Sequence, residues 1–266
     1  METNWFWHGN NLNGKITSST YGKFKELFED FIENEYNPFK EKMLSINGND
    51  KEHIKNKLIE VEKYYKKVDN FIKKFPLNKQ SNLRSQAKLR PTILEEFCCY
   101  LFKDLLEMET LGLGFFNKKI FAGLGVDENG KVYPKTKDVD CCIGKKLTAD
   151  FGGNKHTFII PIIAIECKTY VDKTMFSEAQ FTAQTLKRGA PNVRVYILAE
   201  RNEVSLNEIP SQTPIDQYFV LRGGKSGENK PISLDVLWDF FQEIKETIRK
   251  TTDITERKSI GRLIID

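Results

Sequence analysis

The sequence predicts an α/β protein with a helical N-terminal part, and three observations carry that reading. The first hundred residues hold long Lys- and Glu-rich stretches with apolar residues at helical spacing. Beyond Thr110 short β-branched and aromatic runs alternate with Gly-rich turns and one helical stretch. The described pattern then ends on an amphipathic helix, so the order is helices, mixed strands around a helix, and a helix again.

Residues 1–20 are polar, with Asn and Gly repeated, and predict an irregular arm pinned by Trp5, Phe6 and Trp7. From Tyr21 to Leu44, Phe24, Leu27, Phe28, Phe31 and Ile32 recur at helical spacing, and Asn47-Gly48-Asn49-Asp50 is a turn signal. A second helix is expected from Asp50 to Phe75, with Ile54, Leu58, Val61, Tyr65, Val68 and Ile72 as its stripe. After Pro76 comes a basic, polar connector, Asn78 to Arg90. A third helix opens at Pro91, whose missing N–H costs nothing in a first turn, and runs to about Thr110.

Val139–Ile143 and Phe158–Cys167 read as strands, and Ser177–Arg188 as a helix stopped by Gly189 and Pro191. Val193–Ala199 and Gln217–Leu221 are further strands. Ser233 caps a last helix to Lys250, with Leu234, Leu237, Trp238, Phe241, Ile244 and Ile248 on its apolar face. The expected division is a helical region over residues 1–80, suited to DNA binding or dimerisation, and a core over 81–266.

With 41 basic against 37 acidic residues the net charge is only +4, so charge alone does not identify a polyanion ligand. The five cysteines, Cys98, Cys99, Cys141, Cys142 and Cys167, lie in apolar stretches without a CxxC pair. That argues against zinc and for buried thiols in a reducing cytoplasm. Met1–Asn10 lacks a secretion signal, and the longest apolar stretch, Phe158–Ile165, is too short for a bilayer, so no membrane partner is expected. His8, His53 and His156 are too scattered for a histidine-based site.

Chemistry concentrates in Ile162-Ile163-Ala164-Ile165-Glu166-Cys167-Lys168. Strand side chains alternate, so Glu166 and Lys168 share one face. Such a pair at the end of a buried strand is costly unless something organises it. Upstream, Lys137-Asp138-Val139-Asp140 leads into Cys141-Cys142-Ile143, and a turn at Gly152–Asn154 would bring Asp140 beside Glu166. Two carboxylates and the main-chain carbonyl of Cys167 make a hard oxygen set suited to Mg²⁺. Lys168 would orient or deprotonate the attacking water, or stabilise the developing charge. Asp140 directly precedes the apolar run and is preferred over Asp138.

At these residues the sequence resembles the PD-(D/E)XK nuclease superfamily, with Val139 where the motif name has Pro. Leu89-Arg90-Pro91-Thr92-Ile93-Leu94-Glu95-Glu96-Phe97 and Glu166-Cys167-Lys168-Thr169-Tyr170-Val171-Asp172-Lys173-Thr174-Met175 resemble, more narrowly, Type II restriction endonucleases related to BbvCI. The likeness covers about residues 85–200. It implies a restriction-endonuclease-like mixed sheet flanked by helices, Mg²⁺ dependence, and cleavage of double-stranded DNA at a specific sequence. It also implies a supporting glutamate on the preceding helix. At 100° per residue Glu95 falls beside the apolar stripe and Glu96 nearly opposite it, so Glu95 is preferred. Gln180 is a further candidate to face the site.

For DNA contacts the sequence offers Lys79, Arg84, Lys88 and Arg90 in the connector, and Arg222 with Lys225 at a Gly-rich turn. Lys118-Lys119, Lys145-Lys146 and Lys187-Arg188 read as solvated pairs. Cutting both strands needs two centres, hence a homodimer or a heterodimer with a related subunit. The alternatives are a structure-selective repair or recombination nuclease of the same fold, and a non-catalytic DNA-binding protein. The absence of an ATP-binding loop counts against a helicase-coupled enzyme.

Overall fold

A computed structural model describes residues 5–84, 89–205, 207, 209–210, 212–223 and 230–259, with side chains to residue 250. The N-terminal part is helical throughout. The expected irregular arm is instead helix α1 (Trp7–Ile16). Its sequence is polar with almost no helical pattern, and it is held by tertiary contact, with Trp7, His8 and Leu12 buried. The single helix expected over Tyr21–Leu44 is interrupted. A 3₁₀ turn (Gly22–Phe24) leads into α2 (Lys25–Phe31), a π-helical segment (Ile32–Tyr36) and α3 (Asn37–Ser45). Pro38 in the first turn of α3 has no N–H for the ladder, and the wider π turn takes up the break.

Helix α4 (Lys51–Lys73) follows the Asn47–Asp50 turn, and Asp50 caps it by accepting the N–H groups of Glu52 and His53, both at 3.0 Å. Where a connector was expected, α5 (Leu77–Arg84) forms around one buried side chain, Leu83. Helix α6 (Pro91–Phe102) is buried on all sides and ends earlier than expected, with α7 (Leu106–Thr110) as a separate turn.

Then come strands β1 (Gly114–Phe116), β2 (Ile120–Val126), β3 (Val132–Lys137), β4 (Cys141–Phe151) and β5 (Asn154–Val171). Helix α8 (Lys173–Gly189), strands β6 (Arg194–Asn202) and β7 (Gln217–Val220), and helix α9 (Leu234–Ser259) complete the fold. They build a seven-stranded mixed sheet. β4 and β5 form an antiparallel hairpin, and β6 pairs with β5 in parallel after the α8 crossover. β7 extends the parallel part; β1 flanks β4, and the β2–β3 hairpin joins β5 through Ile120.

The hairpin turn lies where the glycines predict it. Gly152 and Gly153 both have positive φ, 64° and 86°, as a two-residue turn matching the strand twist requires. The register shifts after Ile143, where Gly144 opposes Pro161. A Cβ on Gly144 would lie 2.4 Å from the carbonyl oxygen of Ile160, so this crossing admits only glycine. Below the shift the alternation is regular. Ile163, Ile165 and Cys167 face a core shared with the N-terminal helices, α6 and α9. Ala164, Ile197 and Ala199 face the core under α8. Glu166 and Lys168 therefore emerge on the α8 side, at the end of the sheet where β4 begins.

Candidate active site

Pairing of Cys141 with Ile165 puts Asp140, one residue before β4, beside Glu166. One carboxylate oxygen of Asp140, Oδ2, accepts the backbone N–H of Cys167 at 2.9 Å and the Lys168 ammonium at 2.7 Å. The same ammonium donates to Glu166 Oε2 at 2.8 Å. The three groups thus form one cluster, half sunk into the protein: the side chains of Lys168, Asp140 and Glu166 are 23%, 14% and 10% exposed. They lie in an open cleft of about 750 Å³. Glu95 on α6 lines the same cleft, as do Asn117 and Lys118 before β2, Lys137 at the end of β3 with Asp138 after it, and the α8 face carrying Thr174, Ser177, Phe181 and Thr182.

The electrostatics follow from burial and crowding. Burial, then the neighbouring Asp140 charge, raises the Glu166 carboxyl above its ordinary range against the opposing pull of Lys168. For Lys168 burial disfavours the charged form, but Asp140 and Glu166 outweigh it and hold the ammonium well above the usual lysine range. Burial pushes the Cys167 thiol up to about 12, and its side chain sits in the core on the other face of the sheet, so it offers the cleft no thiolate. The side chains offered are oxygen donors, and two carboxylates share one ammonium, which fits a hard divalent cation. Among the described residues no three His, Cys, Asp or Glu side chains form a ready-made cage. Magnesium does not need one, because it keeps several waters and takes only one or two carboxylates.

A family model for the Bpu10I restriction endonuclease matches residues 86–230, more than half of the chain. The chain belongs to the Bpu10I restriction endonuclease family. The matched span contains α6, the β4–β5 hairpin and α8, the elements that build the cleft. A comparison with curated proteins finds no match. Among solved structures the chain is similar to "native BbvCI A2B2 tetramer at low resolution", with TM-score 0.68 and 19% identity, covering 94% of this chain and 97% of that one. At that identity the likeness establishes the restriction-endonuclease fold.

Within this family fold the other candidates fall into place unevenly. Asp138 also lines the cleft, but its Oδ1 accepts the backbone N–H of Lys119 at 3.2 Å. Glu95 faces the cleft, whereas Glu96 is turned away and buried rather than exposed. Its carboxylate accepts hydrogen bonds from the His8 N–H at 2.9 Å, Tyr100 Oη at 3.0 Å and Tyr36 Oη at 3.1 Å. Helix α1 covers the side of α6 that periodicity alone assigned to solvent. Gln180 is not among the cleft residues; its amide donates to Thr213 at 3.3 Å.

Arg90 and Arg222, expected on DNA, are instead internal. Arg90 reaches Asp69 at 2.6 Å and Glu200 at 3.0 Å, and Arg222 reaches Glu200 at 2.9 Å and Glu62 at 2.7 Å. Glu200 is fully buried, so two guanidiniums packed on the Tyr65 ring compensate it. Lys79 lies over the Tyr21 ring and Arg84 is exposed at the end of α5, neither of them in the cleft. Lys88 and Lys225 lie outside the described residues. Sequence reasoning took Lys118 for solvated surface and passed over Lys137 and Phe181. Lys137 stood beside Asp138 in the motif, but only the fold shows that the Lys118 turn and α8 face each other across the site.

Proposed function

We propose that the chain is a Type II restriction endonuclease, hydrolysing phosphodiester bonds of double-stranded DNA at a specific sequence with Mg²⁺ as cofactor. The observation that supports this best is the Lys168 ammonium between Asp140 and Glu166 at the floor of an open cleft, in a chain of a restriction endonuclease family. Asp140, Glu166 and the Cys167 carbonyl are the groups that would hold the metal. Bound there, Mg²⁺ would neutralise phosphate charge and acidify water.

The protein's own residues do the rest. The Cys167 N–H and Lys168 fix the Asp140 carboxylate in one orientation. Asp140 and Glu166 favour the charged form of Lys168. Its role is electrostatic: hydrolysis gathers negative charge on the phosphate oxygens, and an ammonium already in place stabilises it without reorganisation. Glu95 adds a further carboxylate from the α6 wall.

Cleaving a duplex takes one such centre per strand, so the active form is a homodimer or a pairing with a related subunit. The BbvCI structure is described as an A2B2 tetramer, which is in keeping with such assembly. Five buried free thiols suit a cytoplasmic enzyme. Among the described residues no helix is long and apolar enough to cross a membrane. Incubation of purified protein with plasmid and Mg²⁺ tests the reading. Discrete fragments are expected. A smear would indicate a nuclease without sequence specificity, and intact plasmid would leave a DNA-binding protein at most.

A further inference from the structure

Resting on the nuclease reading above, we propose that Lys118 and Lys137, backed by Phe181, form a rim that grips the DNA strand on either side of the scissile phosphate. The cleft is largely acidic, with Glu95, Asp138, Asp140, Glu166 and Glu178 among its lining. A phosphate backbone approaching it meets repulsion unless cations stand at the entrance. Two do. Lys118 is exposed and makes no ion pair among the described residues. The Lys137 ammonium lies 5.9 Å from the centroid of the Phe181 ring.

The position of Lys118 is not incidental to a surface loop. The next residue, Lys119, has φ 58° and is the one non-glycine residue with positive φ among those described. Left-handed backbone disfavours a side-chain-bearing residue, so the turn needs outside support. Three hydrogen bonds supply it. The Lys119 N–H donates to Asp138 at 3.2 Å, the Asn117 carbonyl accepts from Val139 at 3.2 Å, and the Lys119 carbonyl accepts from Ile159 at 2.9 Å. They tie the turn to the segment that runs into Asp140 and to β5. Lys118 is thereby held in register with the catalytic cluster, as a phosphate contact beside the cut site requires. Asp138 acquires a task of its own in this arrangement, anchoring the turn.

Across the cleft, Phe181 on α8 is 62% exposed, more than any other large aromatic among the described residues. A ring on that wall offers a flat apolar surface to a deoxyribose of the bound strand, and it restrains Lys137 by cation–π contact. Lys118 and Phe181 are exposed and Lys137 is half-buried, and none of the three belongs to the buried core.

The test measures affinity for a cleavable duplex in Ca²⁺ across a salt series, and single-turnover cleavage in Mg²⁺. The variants are the Lys118→Ala/Lys137→Ala double change, Phe181→Ala and Phe181→Tyr. As a control, Lys25→Ala/Lys55→Ala removes two exposed charges outside the cleft. The double variant should lower the slope of log affinity against log salt by about 1.8, while the control leaves it unchanged. Phe181→Ala should bind severalfold more weakly, and Phe181→Tyr should restore binding. Cleavage at saturating DNA should change far less than affinity in all of them. If wild-type protein cuts and the double variant keeps the wild-type slope, or Phe181→Ala keeps wild-type affinity, the rim is overturned. If wild-type protein cuts no DNA, the nuclease reading itself falls.

Discussion

Lys168 is where local charge and chemistry meet most tightly. Its ammonium is held by two carboxylates in a half-buried site, and its proposed interaction matures only as charge develops on the phosphate. Lys168→Ala should therefore lose roughly 10²–10³ in cleavage rate while keeping duplex affinity in Ca²⁺, because an interaction made mainly in the transition state affects rate rather than binding. Lys168→Arg should not rescue it: the larger guanidinium does not fit between Asp140 and Glu166. A gel-shift in Ca²⁺ beside a time course in Mg²⁺ checks both, and near-normal cutting by either variant would remove Lys168 from the mechanism. Asp138→Ala should leave a measurable rate, since Asp138 acts through the Lys119 turn. Asp140, Glu166 and Lys168 were legible because strand alternation and an apolar lead-in place them on one face, and helical arithmetic was enough for Glu95. Arg90 and Arg222 were not, because Asp69, Glu62 and Glu200 come from distant elements.

At the scale of elements, the contact of α1 with α6 makes stability depend on pH. Burial raises the Glu96 carboxyl to about 7 against its four hydrogen-bond donors. Its folded-state value exceeds the ordinary 4.5, so the folded protein binds more protons between about pH 4.5 and 7 and loses stability as pH rises through that window. His8 has the opposite sign. Burial lowers it to about 3, so its contribution is lost as pH falls from 6.5 toward 3. Glu96→Gln should remove the first effect alone. Relative to wild type, the variant should gain roughly 2 kcal/mol in urea unfolding between pH 5 and pH 7.5. Parallel pH profiles would show that Glu96 is ionised throughout. Helices α4, α6 and α8 and the β4–β5 hairpin carried strong periodicity, caps or turn glycines. Helices α1 and α5 lacked such a pattern, and β1, β2 and β3 are short, interrupted by Gly or Pro, and defined by partners far along the chain.

Over the whole molecule, two helical layers enclose a mixed sheet, and the candidate site lies at one sheet end between α6 and α8. The net charge of +4 is too small to bind DNA by itself, so affinity must come from local cations such as those at the rim of the cleft. The oxygen-only donor set predicts cleavage with Mg²⁺ or Mn²⁺, binding without cutting in Ca²⁺, and no cutting in excess chelator. Full activity in chelator would eliminate the metal mechanism. The measurement that bears most directly on the catalytic assignment is plasmid digestion by wild-type protein beside Asp140→Ala in Mg²⁺, with folding of both checked by thermal melting. Discrete fragments from wild type and intact plasmid from an equally folded variant are the expected result; the same fragments from both would contradict it.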